Sequence, residues 1–186
     1  MNGDGRPDFL FSAATGVLVL NTPKGFVESK ACGIAYEAGK VKPVFGDFLG
    51  DKTLGLFVPQ EGKCKLFRND GRGRFTDVTA KSGALAEPVG MATSAAWADF
   101  SNTGHLDLLV GCLKGPNRYF RNNGKGVFAD AGDDIGFYAR IFNTQALAAA
   151  DLNKDNVLDL VLVNEGQESA ILLGNPERLN GAAGEK

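Results

Sequence analysis

The chain has 186 residues, of which 44% are hydrophobic and 23% charged, as is typical of a soluble globular protein. A formal net charge of -2 gives no electrostatic reason to expect a nucleic-acid-binding protein. The apolar stretches fall far short of the roughly 20 residues that span a bilayer, so we expect no membrane insertion. No apolar segment follows Met1, so the chain itself carries no signal peptide.

An aspartate-rich motif recurs along the chain, and its complete copies begin at Asp47, Asp99 and Asp151, spaced 52 residues apart. An earlier copy occupies residues 2–10 and lacks the leading aspartate. We therefore expect a fragment of a longer protein, whose missing N-terminal part carried the targeting signal. The repeats divide the chain into units of approximately 1–40, 41–92, 93–144 and 145–186, the last of them incomplete.

Each unit has the pattern of short strands joined by tight turns. In the third unit a segment rich in small residues, 94–98, enters the motif, and an apolar run, 107–111, follows it. A strand ending at Arg121, a Gly-Lys-Gly turn and a strand opening at Phe128 complete the unit. Four-stranded units in tandem are typical of β-propellers. We predict an all-β fold, a single partial propeller over residues 1–186 with about three and a half blades of four antiparallel strands.

The motif D-x-N-x-D-G-x-x-D places oxygen donors at alternate positions of a tight loop, as a calcium ion requires. The most complete copy is the fourth, whose candidate ligands are the side chains of Asp151, Asn153, Asp155 and Asp159 and the backbone carbonyl of Val157. An EF-hand would need a glutamate at the twelfth position, where this copy has Leu162. We therefore predict a calcium loop that is not an EF-hand.

The other copies are poorer in donors. The third offers Asp99, Ser101, Thr103 and Asp107 with the carbonyl of His105, and the first offers Asn2, Asp4 and Asp8 with the carbonyl of Arg6. The second has Leu49, Lys52 and Gly55 at the third, sixth and ninth positions, so we expect no metal there. A loop that bends this sharply favours, at the sixth position, a residue that tolerates a positive φ, which Gly5 and Gly104 satisfy and Asn156 satisfies next best. The alternative without metal is that the aspartates cap the turn by accepting backbone N–H bonds.

The calcium loop, paired with the phrase at residues 66–79 (LFRNDGRGRFTDVT), resembles the FG-GAP/VCBS repeat family of integrin-α-like propellers. It looks most like the secreted propellers of the cartilage-acidic-protein type. The resemblance implies a calcium-stabilised propeller, extracellular or in the cell envelope, used for adhesion or ligand binding.

Signatures of catalysis are missing from the sequence. There is no P-loop, no nucleophile elbow and no zinc-binding helix, and the single histidine, His105, lies in a calcium-like loop. We predict a non-enzymatic module that binds an extracellular protein or glycan on a propeller face. Two alternatives stay open, namely the propeller part of a larger carbohydrate-active or redox enzyme, and a purely structural spacer.

Three further expectations concern side chains and surfaces. The aromatic and cationic residues that could serve a ligand are Tyr36, Trp97, Tyr138 and Arg140. The three cysteines, Cys32, Cys64 and Cys112, are expected to be buried small residues rather than metal ligands. Because a partial propeller exposes blade faces and strand edges, we expect marginal solubility or oligomerisation.

Overall fold

The structure is a computed structural model that describes residues 1–12, 16–37 and 42–175. Within these ranges it contains fifteen β-strands, four short 3-10 helices and no α-helix. The strands are β1 (Phe9–Ser12), β2 (Gly16–Thr22), β3 (Gly25–Glu28), β4 (Val44–Gly46), β5 (Gly55–Val58), β6 (Glu61–Gly62), β7 (Lys65–Asn69), β8 (Phe75–Asp77), β9 (Gly90–Ala98), β10 (Asp107–Leu113), β11 (Arg118–Asn122), β12 (Phe128–Asp130), β13 (Thr144–Ala150), β14 (Asp159–Asn164) and β15 (Ala170–Leu172). The 3-10 helices span Thr79–Lys81, Ala84–Ala86, Gly132–Ile135 and Phe137–Ala139.

The strands form four sheets that follow one another along the chain. The strand orders are β1-β2-β3, β4-β5-β7-β8, β12-β11-β10-β9-β6 and β13-β14-β15, named here the first to fourth sheets. All paired strands are antiparallel. The all-β class and the propeller blades predicted from the repeat are therefore confirmed. The predicted boundary at residue 40 and the end of the fourth unit, 176–186, lie outside the described residues.

The segment that enters each motif is a strand, as the repeat predicts, even where it is rich in alanine. These entering strands, β4, β9 and β13, lie side by side. The Nζ of Lys42 donates a hydrogen bond of 3.2 Å to the carbonyl of Gln145, which joins the second sheet to the fourth. Small residues allow this close approach, since a Cβ on Gly46 would lie 2.5 Å from the ring of Trp97. The entering strands of neighbouring sheets thus pack against one another.

Each pair of consecutive sheets encloses one hydrophobic core. The first and second sheets bury a cluster that includes Leu18, Leu56 and Phe75. A larger cluster between the second and third sheets is built around Phe57 and Phe128. A third core fills the space between the third and fourth sheets. Burial between blades rather than within one sheet is what makes the sheets stack, as expected for repeats that cannot bury their faces alone.

The cysteines lie in these cores. Cys32, Cys64 and Cys112 are all buried, which confirms the predicted burial, and none of the three forms a disulfide. In the described part of the chain no helix has the length and hydropathy needed to span a bilayer.

Candidate metal loops

Four aspartate loops occupy the same connection in each sheet. The complete ones join β4 to β5, β9 to β10 and β13 to β14, and residues 1–8 lead into β1. We call them the first to fourth loops, after the sheet that each belongs to. Their equivalent positions in the blades place all four at the same end of their sheets.

The leading aspartate of each complete loop caps the loop backbone. In the fourth loop one carboxylate oxygen of Asp151 accepts the N–H of Asp155 at 3.2 Å, and the other accepts the N–H of Asn156 at 2.9 Å. The same pair of bonds, from the fifth and sixth residues, recurs in the other complete loops at Asp99 (Thr103, Gly104) and Asp47 (Asp51, Lys52). The capping role therefore does not depend on how many metal donors a loop carries.

Two positions in every loop adopt a positive φ. The predicted sixth position does so at Gly5, Lys52, Gly104 and Asn156. The fourth position does so as well, at Gly3, Gly50, Asn102 and Lys154, and the sequence analysis missed it. Glycine and asparagine at three of these four positions were a usable signal, whereas Lys154 offered none.

The middle of the fourth loop brings two predicted ligands together. The side-chain amide of Asn153 donates to a carboxylate oxygen of Asp155 at 2.8 Å. The other oxygen of Asp155 accepts the backbone N–H of Val157 at 2.8 Å. These bonds shape the turn from Asn153 to Val157, which carries three of the predicted calcium ligands.

The ninth-position aspartate is buried and ties the loop to its own sheet. Asp159 accepts the N–H of Leu152, in the loop, and that of Gly174, beyond β15, each at 2.8 Å. These backbone bonds hold the pKa of Asp159 below its usual value. The carboxylate is therefore ionised at neutral pH, as a metal ligand must be.

The third loop has the same buried aspartate in a tighter setting. Asp107 accepts the N–H groups of Ser101 and Asn122 at 2.9 and 2.8 Å and the hydroxyl of Tyr119 at 2.9 Å. Burial and the nearby Asp107 raise the pKa of Tyr119 to about 12. The hydroxyls of Ser101 and Thr103 share a hydrogen bond of 3.2 Å, so two predicted ligands meet here too.

Another predicted ligand of the third loop is the backbone carbonyl of His105. The imidazole of His105 lies against Gly124, where an added Cβ would be 2.5 Å from the ring. The side chain of His105 thus packs on the neighbouring hairpin turn, which leaves only its backbone carbonyl for a metal.

The first loop is engaged by its own arginine. Arg6 pairs with Asp4 through its guanidinium and donates its backbone N–H to the same carboxylate at 2.9 Å. The backbone bond from Arg6, and after it the side-chain bond from Asn2, lower the pKa of Asp4. Asn2 donates to Asp4 at 2.9 Å, and Asp8 pairs with the N-terminal amine. The predicted side-chain ligands of this loop, Asn2, Asp4 and Asp8, are therefore all engaged in hydrogen bonds or ion pairs with other groups of the loop.

The chemistry of the fourth loop fits a hard cation, and its carboxylates accept backbone N–H bonds. Three carboxylates and one amide oxygen lie within nine residues, and all are oxygen donors of the kind that calcium takes. Among residues 1–12, 16–37 and 42–175, however, no three His, Cys, Asp or Glu side chains converge as a metal cluster. The second loop shows that the capped shape forms even where the third and ninth donors are lost.

A buried asparagine ends each of the strands β7 and β11, and its structural role was not predicted from the sequence. Asn69 and Asn122 are 2% and 3% exposed. Asn69 donates to the carbonyl of Met1 at 2.9 Å, and Asn122 donates to the carbonyl of Phe48 at 2.7 Å. Each acceptor is the second residue of the preceding sheet's aspartate loop. The asparagine therefore connects each blade to the loop before it.

Only two of the four candidate ligand residues are on the surface. Trp97 packs between Phe48 and Phe128, and Tyr36 is buried with its hydroxyl on Ser12. Both are therefore core residues, because a neighbouring sheet covers them. The remaining two, Tyr138 and Arg140, are exposed on the connection between β12 and β13.

The same connection carries the acidic pair Asp133-Asp134. Asp134 pairs with Arg121 at 2.8 Å on the surface. Both side chains are about half exposed, so this is an ordinary surface ion pair.

Comparison with known proteins relates the chain to a repeat family and to proteins much longer than itself. A profile of the FG-GAP-like repeat matches residues 47–110 and 102–162, more than half of the chain. Cartilage acidic protein 1 of Mus musculus is 28% identical over 179 residues, covering 90% of this chain and 26% of that protein. The Xenopus tropicalis protein of the same name is 29% identical over 123 residues, covering 64% and 18%. The chain thus spans about a quarter or less of the length of these curated relatives.

Solved structures with the same fold include one of a fungal lectin. It is that of an Agrocybe aegerita lectin, described as specifically recognising non-reducing terminal N-acetylglucosamine. It matches this chain with a TM-score of 0.54 and 22% identity, covering 92% of this chain and 50% of the lectin chain.

Proposed function

The chain belongs to the FG-GAP-like repeat family, and from this premise we propose that it is a non-catalytic, calcium-stabilised propeller module that binds a protein or glycan outside the cell. The observation that carries the proposal is the set of oxygen donors in the fourth loop. The shared fold with a lectin adds support for a glycan.

Calcium in the fourth loop is compatible with the hydrogen bonds already made there. A carboxylate oxygen has two lone pairs. One oxygen of Asp151 accepts the N–H groups of both Lys154 and Asp155, but the other accepts only that of Asn156 and keeps a lone pair for a cation. The two oxygens of Asp159 accept one N–H group each, from Leu152 and Gly174, and can also accept a cation. Asn153, Asp155 and the carbonyl of Val157 complete the set. The ion would neutralise three carboxylates and hold the loop in one conformation. By the same reasoning we propose weaker calcium sites in the third and first loops and no calcium site in the second loop.

The ligand surface we propose is the connection from Gly132 to Ile141. It exposes Ile135, Tyr138 and Ile141 at 38%, 37% and 53%. The hydroxyl of Tyr138 is held by Asp130, and the guanidinium of Arg118 lies 5.3 Å from its ring centre. An exposed aromatic ring fixed in this way loses little entropy on binding, which suits a sugar or a peptide contact.

A role without catalysis agrees with how the ionisable groups are used. The side chain of His105 packs against Gly124, and the in-phase aspartates accept backbone N–H bonds. Groups tied up in this way are poorly placed to move a substrate proton.

The calcium part is tested by calorimetric titration and by thermal melting in calcium and in chelator. Asp155→Asn removes one charge from the fourth loop, and Asp51→Asn is the matched control at the equivalent position of the second. We expect calcium to raise the melting temperature of the wild type and of Asp51→Asn equally, and that of Asp155→Asn by a smaller amount, because only the weaker third and first loops remain intact in it. No calcium-dependent shift in the wild type would overturn this part and leave metal-free capped turns.

The binding part is tested on panels of glycans and matrix proteins, with and without calcium. Tyr138→Ala should abolish binding of the ligand found, whereas Arg74→Ala, an exposed residue of a distant hairpin, should not. A flat binding profile would instead support a structural spacer. Turnover of a bound glycan would support the enzyme alternative.

A further inference from the structure

The ninth-position aspartates of the third and fourth loops differ in the hydrogen bonds that they accept. Oδ1 of Asp107 accepts the N–H of Asn122, and its Oδ2 accepts both the N–H of Ser101 and the hydroxyl of Tyr119. Asp159 accepts one backbone N–H on each oxygen. Because a carboxylate oxygen has two lone pairs, Oδ2 of Asp107 has none left for a cation, whereas both oxygens of Asp159 keep one.

The hydroxyl of Tyr119 is what distinguishes the third sheet at this position. Tyr119 pairs with Leu109, two residues after the aspartate, and strand register places Leu18, Leu66 and Ile171 at the same position of the other sheets. Leucine and isoleucine have no polar side-chain atom and cannot donate a hydrogen bond. Among the four sheets, a hydroxyl on the ninth aspartate is therefore peculiar to the third.

The side chain of Tyr119 is held firmly against the loop. Tyr119 is 2% exposed, and its ring meets that of Phe100, the second residue of the third loop, edge on with the ring centres 6.1 Å apart. Its pKa of about 12 keeps the hydroxyl protonated at neutral pH, so the hydroxyl donates to Asp107 throughout the physiological range.

A positive charge on the same strand acts in the same direction. Arg121 pairs with Asp134 at 2.8 Å, and its interaction with Tyr119, followed by the charges of Asp134 and Asp107, raises its pKa. A guanidinium that already interacts with Asp107 opposes a second cation there. The residue equivalent to Arg121 in the fourth sheet is Leu173, which carries no charge.

We propose that Tyr119 lowers the calcium affinity of the third loop, because its hydroxyl occupies the lone pair of Asp107 that a calcium ion would otherwise take. This role rests on the proposed function and names a residue that makes two loops of similar shape differ. Calcium takes roughly six to eight oxygen ligands, so a carboxylate restricted to one oxygen is a poorer partner than one that offers two. The hydroxyl also stabilises a buried carboxylate that would otherwise gain more from a cation.

The first test removes the hydroxyl in a chain whose fourth loop is weakened by Asp155→Asn. Tyr119→Phe is added to this background, and both chains are titrated with calcium chloride by calorimetry and melted in calcium and in chelator. We expect Tyr119→Phe to raise the calcium affinity by about tenfold and to enlarge the calcium-dependent rise in melting temperature. Asp99→Asn, added as a third change, should remove the gain if it belongs to the third loop.

Tyr36→Phe in the same background is the matched control. Tyr36 is also buried, and its hydroxyl bonds to Ser12, away from the aspartate loops. Its replacement should leave the calcium affinity unchanged. A purely structural Tyr119 would lower the melting temperature equally in calcium and in chelator, and that result would overturn the proposal.

The reciprocal test adds a hydroxyl to the fourth sheet of the otherwise unchanged chain. Ile171→Tyr places it at the position that pairs with Val161, two residues after Asp159. Ile171→Phe is the matched control, since it adds the ring without the hydroxyl. We expect the tyrosine variant to bind calcium about tenfold more weakly than the phenylalanine variant. Equal affinities would contradict the role assigned to the hydroxyl.

These variants separate the role of Tyr119 from the calcium site on which it rests. Calcium binding that is weakened by Asp155→Asn but unaffected by either tyrosine change would keep the fourth-loop site and overturn the role of Tyr119. Absence of calcium binding in the wild type would overturn the fourth-loop site, and a gain in Tyr119→Phe would still uphold the role of Tyr119. Absence of binding in both chains would overturn both.

Discussion

The side-chain amide of Asn122 donates a hydrogen bond of 2.7 Å to the backbone carbonyl of Phe48, a residue of the preceding blade's aspartate loop. A second bond from the same amide reaches the carbonyl of Leu106 at 2.9 Å, and its oxygen accepts the N–H of Gly124 at 3.0 Å. One buried side chain therefore fixes a hairpin turn, its own loop and the loop of the neighbouring blade. This bond couples the position of one aspartate loop to the next blade.

Replacement of this asparagine by aspartate should be strongly destabilising. In Asn122→Asp a carboxylate oxygen faces two carbonyl oxygens in a buried site, so two bonds become repulsive contacts. We expect a loss of roughly 3 kcal/mol or more in the free energy of unfolding, measured by urea titration at neutral pH. The adjacent Asn123→Asp is the control, since Asn123 uses only its oxygen, on Lys125 and Val127, and should change stability little. Equal losses in the two variants would show that the inter-blade bond is unimportant.

The blades could be predicted from the sequence because each is specified locally. The recurring aspartates, the Gly-x-Gly hairpin turn and the small residues of the entering strands repeat in phase, and each has one structural meaning. The positive φ of the sixth loop position followed from Gly5 and Gly104 alone. The positive φ of Lys154, at the fourth loop position, could not be predicted in this way, because it is imposed by the loop rather than by the residue type.

The contacts between blades could not be predicted in this way. Asn122 and Phe48 are far apart in the sequence, and no local pattern says which blade packs on which surface. For the same reason Trp97 was predicted as a residue that could serve a ligand, although it packs against the core between the second and third sheets with Phe57 and Phe128. Phe26 is 63% exposed, whereas Phe75 and Phe128, which open the equivalent strands of the second and third sheets, are 4% and 2% exposed. Burial at this position therefore depends on a neighbouring sheet and not on the strand itself.

Gly83 is expected to be intolerant of any side chain. It has a φ of 70°, and an added Cβ would lie 2.5 Å from the carbonyl oxygen of Phe128, where the connection between blades bonds to the hairpin strand. Gly136→Ala is the matched control, because Gly136 has a φ of 74° and no atom within 4 Å of the added Cβ. Both alanine variants should pay the left-handed strain of about 1 kcal/mol, and Gly83→Ala about 1 to 3 kcal/mol more for the clash. Chemical denaturation of the two variants gives the comparison, and equal losses would mean that the backbone yields at Gly83.

The buried thiols should be inert in the native protein. Burial raises the pKa of Cys64 to about 11 and that of Cys112 to about 12. Because the thiolate is the reactive form, both should resist a thiol reagent at pH 8 and react once the protein is unfolded. The rate of reaction in native buffer and in denaturant measures this difference. Rapid modification of Cys64 or Cys112 in native buffer would show that the core between the second and third sheets opens readily.

Acid should weaken the connection that bears Tyr138, through Asp130. Burial acts to raise the pKa of Asp130, but hydrogen bonds from Tyr138, Gly132 and Arg118 outweigh it and lower the pKa below its usual value. A carboxyl whose folded pKa is depressed contributes stability above its unfolded pKa of about 3.9, and this contribution is lost as the pH falls through the folded pKa.

The wild type should therefore exceed Asp130→Asn in stability at neutral pH, and the difference should shrink progressively below about pH 4. Tyr138→Phe removes one of the three partners of Asp130 and keeps the ring, so its stability should approach that of the wild type in the same acid range, with a smaller difference at neutral pH. Urea unfolding from pH 7 down to pH 3 measures both curves. A difference between the wild type and Asp130→Asn that stays constant over this range would show that the carboxylate charge contributes nothing and that only the shape of the side chain matters.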